Sequence, residues 1–447
     1  MRAISRARFE AMVSYCRKPL ARYYMHELAW FEAGGEQVLG TLVFDTDGEY
    51  SGMIMGRDLN ERFRAISSTS FLDTPEQAIY ELHIKMDQAL AELEITREQG
   101  DETGKPVDFF TPVVRQERLS RGFQTIKSHP GFSPARSIVC EMMRWHQDVD
   151  GNFIEQFQTT GFDARIWELY LFAALVESDL EVTQPSPAPD FICLGPGEGK
   201  FLLEATTVNP TIGKDGKAVE AHRPETDDDL VQYVQHYLPI KYAGPLTTKL
   251  KKRYWEKPAA KDKPLVFAIQ DFHDVMSMSR SKAGLGTYLY GYGYDAKGDP
   301  KKITEHVWGT KKILSGFFSQ PGAEHVSAVI FNASATLSKF NRMGVAAGFG
   351  NGNVVLIRRG HEYNPDPGAS APRPYQHIVA EGYRETWVEG MEVYHNPRAL
   401  RPLDPELLRG AVHNYLLNNG QVRSEIPGWA PLSSITSVLS LSSREGE

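Results

Sequence analysis

Cysteine is scarce in this chain and follows no pattern. Cys16, Cys140 and Cys193 are odd in number, far apart and free of CxxC spacing. That excludes a disulfide framework and a zinc knuckle, and leaves buried thiols that pack as small hydrophobes. Long apolar runs are also missing: no stretch approaches the ~20 residues that a membrane-spanning helix needs. The N-terminus, MRAISRARFEAMVSYC, is basic but soon turns polar, without the apolar core and small-residue cleavage site of a secretory leader. The expectation is a cytoplasmic protein with no membrane partner. A surplus of positive charge is absent too. The formal net charge is −8, so the chain as a whole is not a basic nucleic-acid binder.

Several familiar motifs are missing. There is no internal repeat, no GxSxG elbow and no HExxH pair. GPGEGK at 195–200 fails as a phosphate loop: Leu194 stands where the Walker pattern needs glycine, and Phe201 where it needs Ser or Thr. It reads as a hairpin turn, as does GFGNGN at 348–353. His146, Asp148 and Asp150 sit beside Gly151 in a polar setting that reads as a loop, and His273 closes a buried strand as a minor candidate for substrate contact.

What is present is an ordinary globular composition, 41% hydrophobic and 24% charged over 447 residues, enough for two or three packed units. Apolar runs at 24–32, 37–45 and 49–56, separated by Gly34-Gly35 and Asp47-Gly48, predict a β-meander. A helix is expected over 75–98, with Thr74 as N-cap, Pro75 in its first turn and Gln77 closing a capping box. Short helices follow at 112–127 and 134–146, and a strand at 152–160. Residues 164–177 (ARIWELYLFAALVE) predict a helix capped by Asp163. Strands are expected at 180–184, 190–194 and 200–208, helices at 224–238 and 244–257, and a buried strand at 264–270. A Gly-, Ser- and Lys-rich excursion at 273–320 precedes strands at 325–332 and 353–358. A Pro-rich loop at 363–376, a helix near 404–418 and a frayed Ser-rich tail at 432–447 complete the chain.

The expected class is α/β with α+β character in its N-terminal part: a mixed central sheet flanked by helices, preceded by a β-meander and helix domain. The expected division is an N-terminal domain of open role at 1–140, a core at 141–360 interrupted by the insertion 273–320, and an extension at 361–447 packing on the core.

Three acids stand in settings where acids are costly. Glu168 lies in IWELYLFAALV, a segment apolar nearly all round and therefore a buried helix. Glu204 lies in FLLEATT, a strand apolar on both sides of the acid, and Asp190 follows Pro189 at the start of the preceding strand. Burying carboxylates without partners costs several kcal/mol, and three together repel. A divalent cation relieves both, since carboxylates are natural ligands of hard ions. Asp190 and Glu204 are fourteen residues apart, enough for two strands and a tight turn.

The order helix, three strands, helix, strand, with acids at these places, resembles the PD-(D/E)XK or restriction-endonuclease-like nuclease superfamily. The motif reads Pro189-Asp190, then Glu204-Ala205-Thr206, with Glu168 as the helical acid. FDARIWELYLFAAL, PAPDF, FLLEATT, GPLTTKLKKRYW and KPLVFAI are similar to the corresponding segments of one group in that superfamily, over about residues 160–270. The resemblance implies one or two Mg²⁺ (or Mn²⁺) ions held by Asp190, Glu204 and the Ala205 carbonyl, with Glu168 completing the shell.

Thr206 departs from the pattern. It occupies the signature lysine's place and cannot carry its charge. The superfamily allows that lysine to migrate onto the next helix, which makes Lys249 the candidate, with Lys241 and Lys200 in reserve. Residues 241–263 hold eight lysines and arginines against two acids, and Lys241, Lys249, Lys252 and Arg253 are the expected phosphate contacts, Lys252 and Arg253 sharing a helical face with Lys249. The resemblance implies a DNA-cleaving enzyme, in restriction or phage defence, that can pair as a homodimer. Two alternatives stand beside it. One is a non-catalytic relative that binds nucleic acid or a protein partner. The other is a structural protein whose acids are ion-paired, Glu168 with Arg165 for instance.

Overall fold

The computed structural model describes the chain apart from residues 147–150, 186–187, 196, 198, 215, 275–276, 278–279, 296, 367, 370 and 441–447. Asp148 and Asp150 lie outside the described residues. The chain is a mixed α/β molecule built on an eight-stranded sheet. Its strands are numbered here in chain order: β1 Glu181–Thr183, β2 Phe191–Leu194, β3 Lys200–Val208, β4 Leu265–Asp271, β5 Val326–Asn332, β6 Met391–His395, β7 Val412–Leu416 and β8 Val422–Glu425. Each strand lies beside its successor. β1, β2 and β3 pair antiparallel, β3, β4 and β5 parallel, β5 and β6 antiparallel, β6 and β7 parallel, and β7 and β8 antiparallel.

Helix α1 (Phe162–Glu177) covers one face of this sheet and α2 (Leu238–Lys251) the other. The alternation along β3 shows why. Phe201, Leu203 and Ala205 enter one core with Trp167, Tyr170 and Leu171 of α1. Leu202 and Val208 enter the other with Tyr242, Leu246 and Leu250 of α2. A strand buried on both faces must be apolar throughout, and each fully buried large side chain contributes about 1.5–3 kcal/mol. The order α1, β1–β3, α2, β4 is the order read from the sequence.

The N-terminal part is the expected meander. Met25–Ala33, Val38–Asp45, Tyr50–Arg57 and Phe63–Ser68 pair antiparallel in chain order, with the short Arg2–Ala3 outside them. The helix Pro75–Ala91 covers one face, packing Leu82 and Met86 on Val38 and Ile54. The helix Arg6–Val13 covers the other, packing Phe9 and Met12 on Leu39 and Met55. Thr74 caps the first of these helices by accepting from Gln77 N at 3.4 Å.

Five expectations are corrected. Residues 152–160 form the helix Phe153–Gln158 rather than a strand, because Phe153 and Phe157, four apart, bury one helical face. The helix expected near 404–418 is a short turn, Pro405–Leu408, followed by β7, whose Val412 and Asn414 pair with β6. The tail does not fray over its first part: Pro431–Ser440 pairs antiparallel with Val354–Glu362. The Pro-rich stretch becomes a strand from Arg373 onward, on the other side of Val354–Glu362. The helices expected at 224–238 and 244–257 are one run, Asp227–Gln232 passing through a π-helical turn, Tyr233–Tyr237, into α2. The excursion 273–320 contributes the helix Ser281–Tyr290, which packs with α2 over the sheet. Among the described residues no helix is long and apolar enough to cross a membrane.

Candidate functional site

The site forms where β2 parts from β3. Their ladder runs from Leu194–Lys200 to Phe191–Leu203 and stops there, so Ala205 faces the vacated edge without a backbone partner from β2. The Asp190 carboxylate takes that place, Oδ2 accepting from Ala205 N at 2.7 Å. The Ala205 carbonyl leaves the strand on the same edge as its N–H and so faces the same opening.

Glu204 points to the opposite side from Leu203 and Ala205, toward α2. There Lys249, in the last turn of α2, places Nζ 2.6 Å from Glu204 Oε2 and 3.7 Å from Asp190 Oδ2. The side chain of Glu204 is 2% exposed, that of Lys249 16% and that of Asp190 35%. Asp190 is therefore the solvent-facing carboxylate and Glu204 the sheltered one. Glu204 Oε1 is buried without a hydrogen-bond partner among the described residues. Burial, and then the neighbouring charge of Asp190, raises the proton affinity of Glu204, opposed by Lys249 and by the Tyr254 hydroxyl.

Tyr254 is a site residue that the motif did not supply. It lies just past α2, and burial together with Glu204 pushes its own ionisation well up. The ammonium groups of Lys249, Lys252 and Lys257 stand 5.7, 5.9 and 5.0 Å from its ring centroid. An aromatic residue flanked by three lysines was visible in KLKKRYWEK, but only the chain reversal after α2 brings it back over Glu204.

The expected three-carboxylate shell does not form. Glu168 projects from α1, whose neighbours pack on the other face of the sheet, and its Oε2 accepts from Arg165 Nη1 at 2.5 Å. Burial pushes Glu168 up to about 7, with Arg165 opposing and the charge of Asp190 adding. Glu168 thus feels the site electrostatically while an arginine holds it. Among the described residues no group of three or more His, Cys, Asp or Glu side chains converges to hold a metal.

The other expected residues scatter. Thr206 lies two residues beyond Glu204 on the same face of β3, opposite Ile269. Lys241, two turns before Lys249, donates to Thr211 Oγ1 at 2.6 Å and stands over Tyr237, away from the acids. Lys200 opens β3 opposite Leu194, at the far end of the ladder. Arg253 does not continue the helical face of Lys249: its backbone turns left-handed (φ +48°), ending the helix, and its guanidinium pairs with Glu256 at 2.5 Å.

A second polar cluster lies further along the parallel β3–β4 pair. Asp271 Oδ1 stands 2.6 Å from His273 Nδ1, and Oδ2 accepts from Ser281 Oγ at 2.5 Å and Tyr242 Oη at 3.2 Å. Tyr233 Oη closes on His273 Nε2 at 3.1 Å. All five residues are buried, so His273 offers no surface to a substrate. His146 is likewise interior: its ring lies 3.8 Å from that of Phe153, and burial lowers its pKa to about 3.

Comparison with family models, with curated proteins and with solved structures returns no match.

Proposed function

We propose that the chain is a metal-dependent nuclease hydrolysing phosphodiester bonds in DNA, with α1, β1–β3, α2 and β4 as a restriction-endonuclease-like core. One observation carries this reading. Lys249, from the helix after the acid-bearing strands, stands within ion-pair reach of both Asp190 and Glu204. That is the arrangement expected when the signature lysine has migrated and left Thr206 behind.

The donor set suits a hard divalent cation. Glu204 Oε1 is buried with no hydrogen-bond partner among the described residues, Asp190 is partly exposed, and the Ala205 carbonyl faces the same gap. Asp190, Glu204 and that carbonyl would hold Mg²⁺ or Mn²⁺, which supplies Lewis acidity and a more acidic bound water. The chain's own groups do the rest. Lys249 balances the negative charge that builds on a phosphate during attack, and Lys252 and Lys257 add positive potential on the same side. Ala205 N orients Asp190. Burial and the charge of Asp190 raise the proton affinity of Glu168, which reduces the negative charge it sets against an approaching phosphate.

The test is incubation of the purified chain with linear and circular DNA in Mg²⁺ or Mn²⁺, beside Glu204→Ala. Metal-dependent cleavage lost in the variant is the expected result; equal cleavage by both, or none with either metal, overturns it. A role in restriction or phage defence follows from the resemblance.

A second reading is favoured by Lys249 itself, which neutralises the acids without a metal, and by Arg165 holding Glu168, no group of three or more His, Cys, Asp or Glu side chains converging among the described residues. On that reading the fold binds nucleic acid without cutting it. Retention of a DNA fragment in chelator, with no heat on Mn²⁺ titration, selects it.

A further inference from the structure

A cavity of about 380 Å³ lies away from the carboxylates, between the helix Ser281–Tyr290 and strands β6–β8. Five tyrosines line it: Tyr290, Tyr292, Tyr294, Tyr363 and Tyr394. Several are fixed by their hydroxyls. The one hydroxyl proton of Tyr290 is shared between the carbonyls of His395 and Asn414, at 3.0 and 2.8 Å, and Tyr394 donates to the Lys282 carbonyl at 3.4 Å. Tyr363 accepts from Lys282 Nζ, which also stands 4.2 Å from its ring centroid. Tyr294, 43% exposed, marks the mouth.

One wall is polar. Lys282 is ion-paired with Glu392, Glu392 Oε2 accepts from Asn414 Nδ2 at 2.7 Å, and Asn414 Oδ1 accepts from Ser424 Oγ at 2.6 Å. Donors and acceptors thus alternate along a row in which the charges cancel.

Helix glycines give a further sign. Gly284 is closely packed, a Cβ there running into Leu238. Gly286, two residues on and lining the cavity, has no such reason: a Cβ would meet only Tyr394, at 3.4 Å. A glycine inside a helix costs about 1 kcal/mol against alanine, and here what it provides is room.

We propose that this cavity binds a nucleobase or nucleoside. The volume suits a small ligand, the tyrosine rings offer stacking faces, and the lining side chains Lys282, Asn414 and Ser424, backed by the buried Glu392, give a polar wall to the edge of a flat ring that both donates and accepts. An alkyl ligand would cover that polar wall without offering it a hydrogen bond. A free phosphate would meet an ammonium already neutralised by Glu392. The inference rests on this cavity alone and stands or falls apart from the carboxylate site.

The test is isothermal titration of the full chain, in chelator, with adenosine, guanosine, cytidine and uridine. Indole and inorganic phosphate serve as controls. The expected result is one saturable site for at least one nucleoside, weakened about tenfold or more in Gly286→Leu, which fills the cavity while favouring the helix, and in Lys282→Gln, which breaks the polar row. Circular dichroism and melting confirm that both variants fold. No nucleoside binding, binding unchanged in folded Gly286→Leu, or tighter binding of indole or phosphate overturns the proposal.

Discussion

Tyr242 and Lys249 stand seven residues apart on one face of α2, and each reaches a sheltered carboxylate. Tyr242 Oη donates to Asp271 Oδ2 at 3.2 Å, and Lys249 Nζ to Glu204 Oε2 at 2.6 Å. Register places Asp271 opposite Val208, four residues beyond Glu204, so two turns of helix span two polar clusters about 10 Å apart. Leu246 and Ile269, both buried, belong to the apolar core between the helix and these strands. The clusters differ in access. Asp271 is enclosed, whereas Glu204 shares the Lys249 ammonium with the half-buried Asp190.

The two clusters should therefore behave independently. Tyr242→Phe removes the one hydroxyl proton shared by the Ser281 carbonyl, at 2.8 Å, and Asp271 Oδ2, at 3.2 Å, at a cost of about 1–2 kcal/mol. Lys249→Met leaves Glu204 buried beside Asp190 with no cation, at about 3 kcal/mol. Urea denaturation of both single variants and the double should give costs that add within about 0.5 kcal/mol. A coupling above about 1 kcal/mol would show that α2 transmits strain between them.

On the proposed nuclease reading, Lys249 and a divalent cation would compete for one pair of carboxylates. In Lys249→Met the competitor is gone and the acids are unneutralised, so Mn²⁺ should raise the melting temperature more in this variant than in the parent chain. Glu204→Gln should abolish the difference. Equal Mn²⁺ shifts in all three proteins would place any bound ion elsewhere.

The core elements were legible because their sequences are extreme. A segment as apolar as IWELYLFAALV can only be a buried helix, and FLLEATT between glycine-rich turns can only be an inner strand. The misread elements are those whose local pattern is ambiguous. NFIEQFQTT carries both a strand's composition and an i, i+4 phenylalanine pair, and packing of Phe153 against Phe109 and Phe157 decides for helix. The Ser-rich tail resembled a frayed end because its apolar residues are thin, yet pairing along Val354–Glu362 holds it. At the site, Asp190 and Glu204 were singled out from residue type and spacing and Lys249 through the resemblance, and the fold brings the three side chains together. The pairing of Glu168 with Arg165 was one of the alternatives open from the sequence, and spacing alone does not choose between it and a shell shared with Asp190 and Glu204.

Glu168 gives a pH signature of its own. Its folded pKa of about 7 lies above the ordinary 4.5, so the folded chain binds this proton more tightly than the unfolded chain does. Its ionisation has no effect on stability below about pH 4.5. Stability then falls as pH rises toward 7, and the penalty levels off above that, at up to about 3 kcal/mol. Glu168→Gln removes the charge and keeps an acceptor for Arg165. The variant should gain stability relative to the parent between pH 5 and pH 8, measured by denaturant midpoints at each pH. A difference flat across that range would place the ionisation outside the window.

Two helix-interior glycines should respond oppositely to alanine. Gly344 lies in Leu337–Ala346 where that helix crosses Ser133–Met143, and a Cβ there would run into the backbone carbonyl of Pro134. Backbone cannot step aside as a side chain can, so the two helices must part, and Asn341, which donates to the Gly131 carbonyl at 2.8 Å and accepts from Ala135 N at 3.2 Å, must give up its grip. The expected cost is about 2 kcal/mol or more, strain exceeding the gain in helix propensity. Gly286→Ala meets only ordinary van der Waals contact with Tyr394 and should stabilise by about 0.5–1 kcal/mol. Melting curves of the two variants decide. Stabilisation in both would mean that the two helices crossing at Gly344 are free to move apart, while destabilisation by Gly286→Ala would mean that the tyrosine-lined cavity leaves no room for even one methyl group.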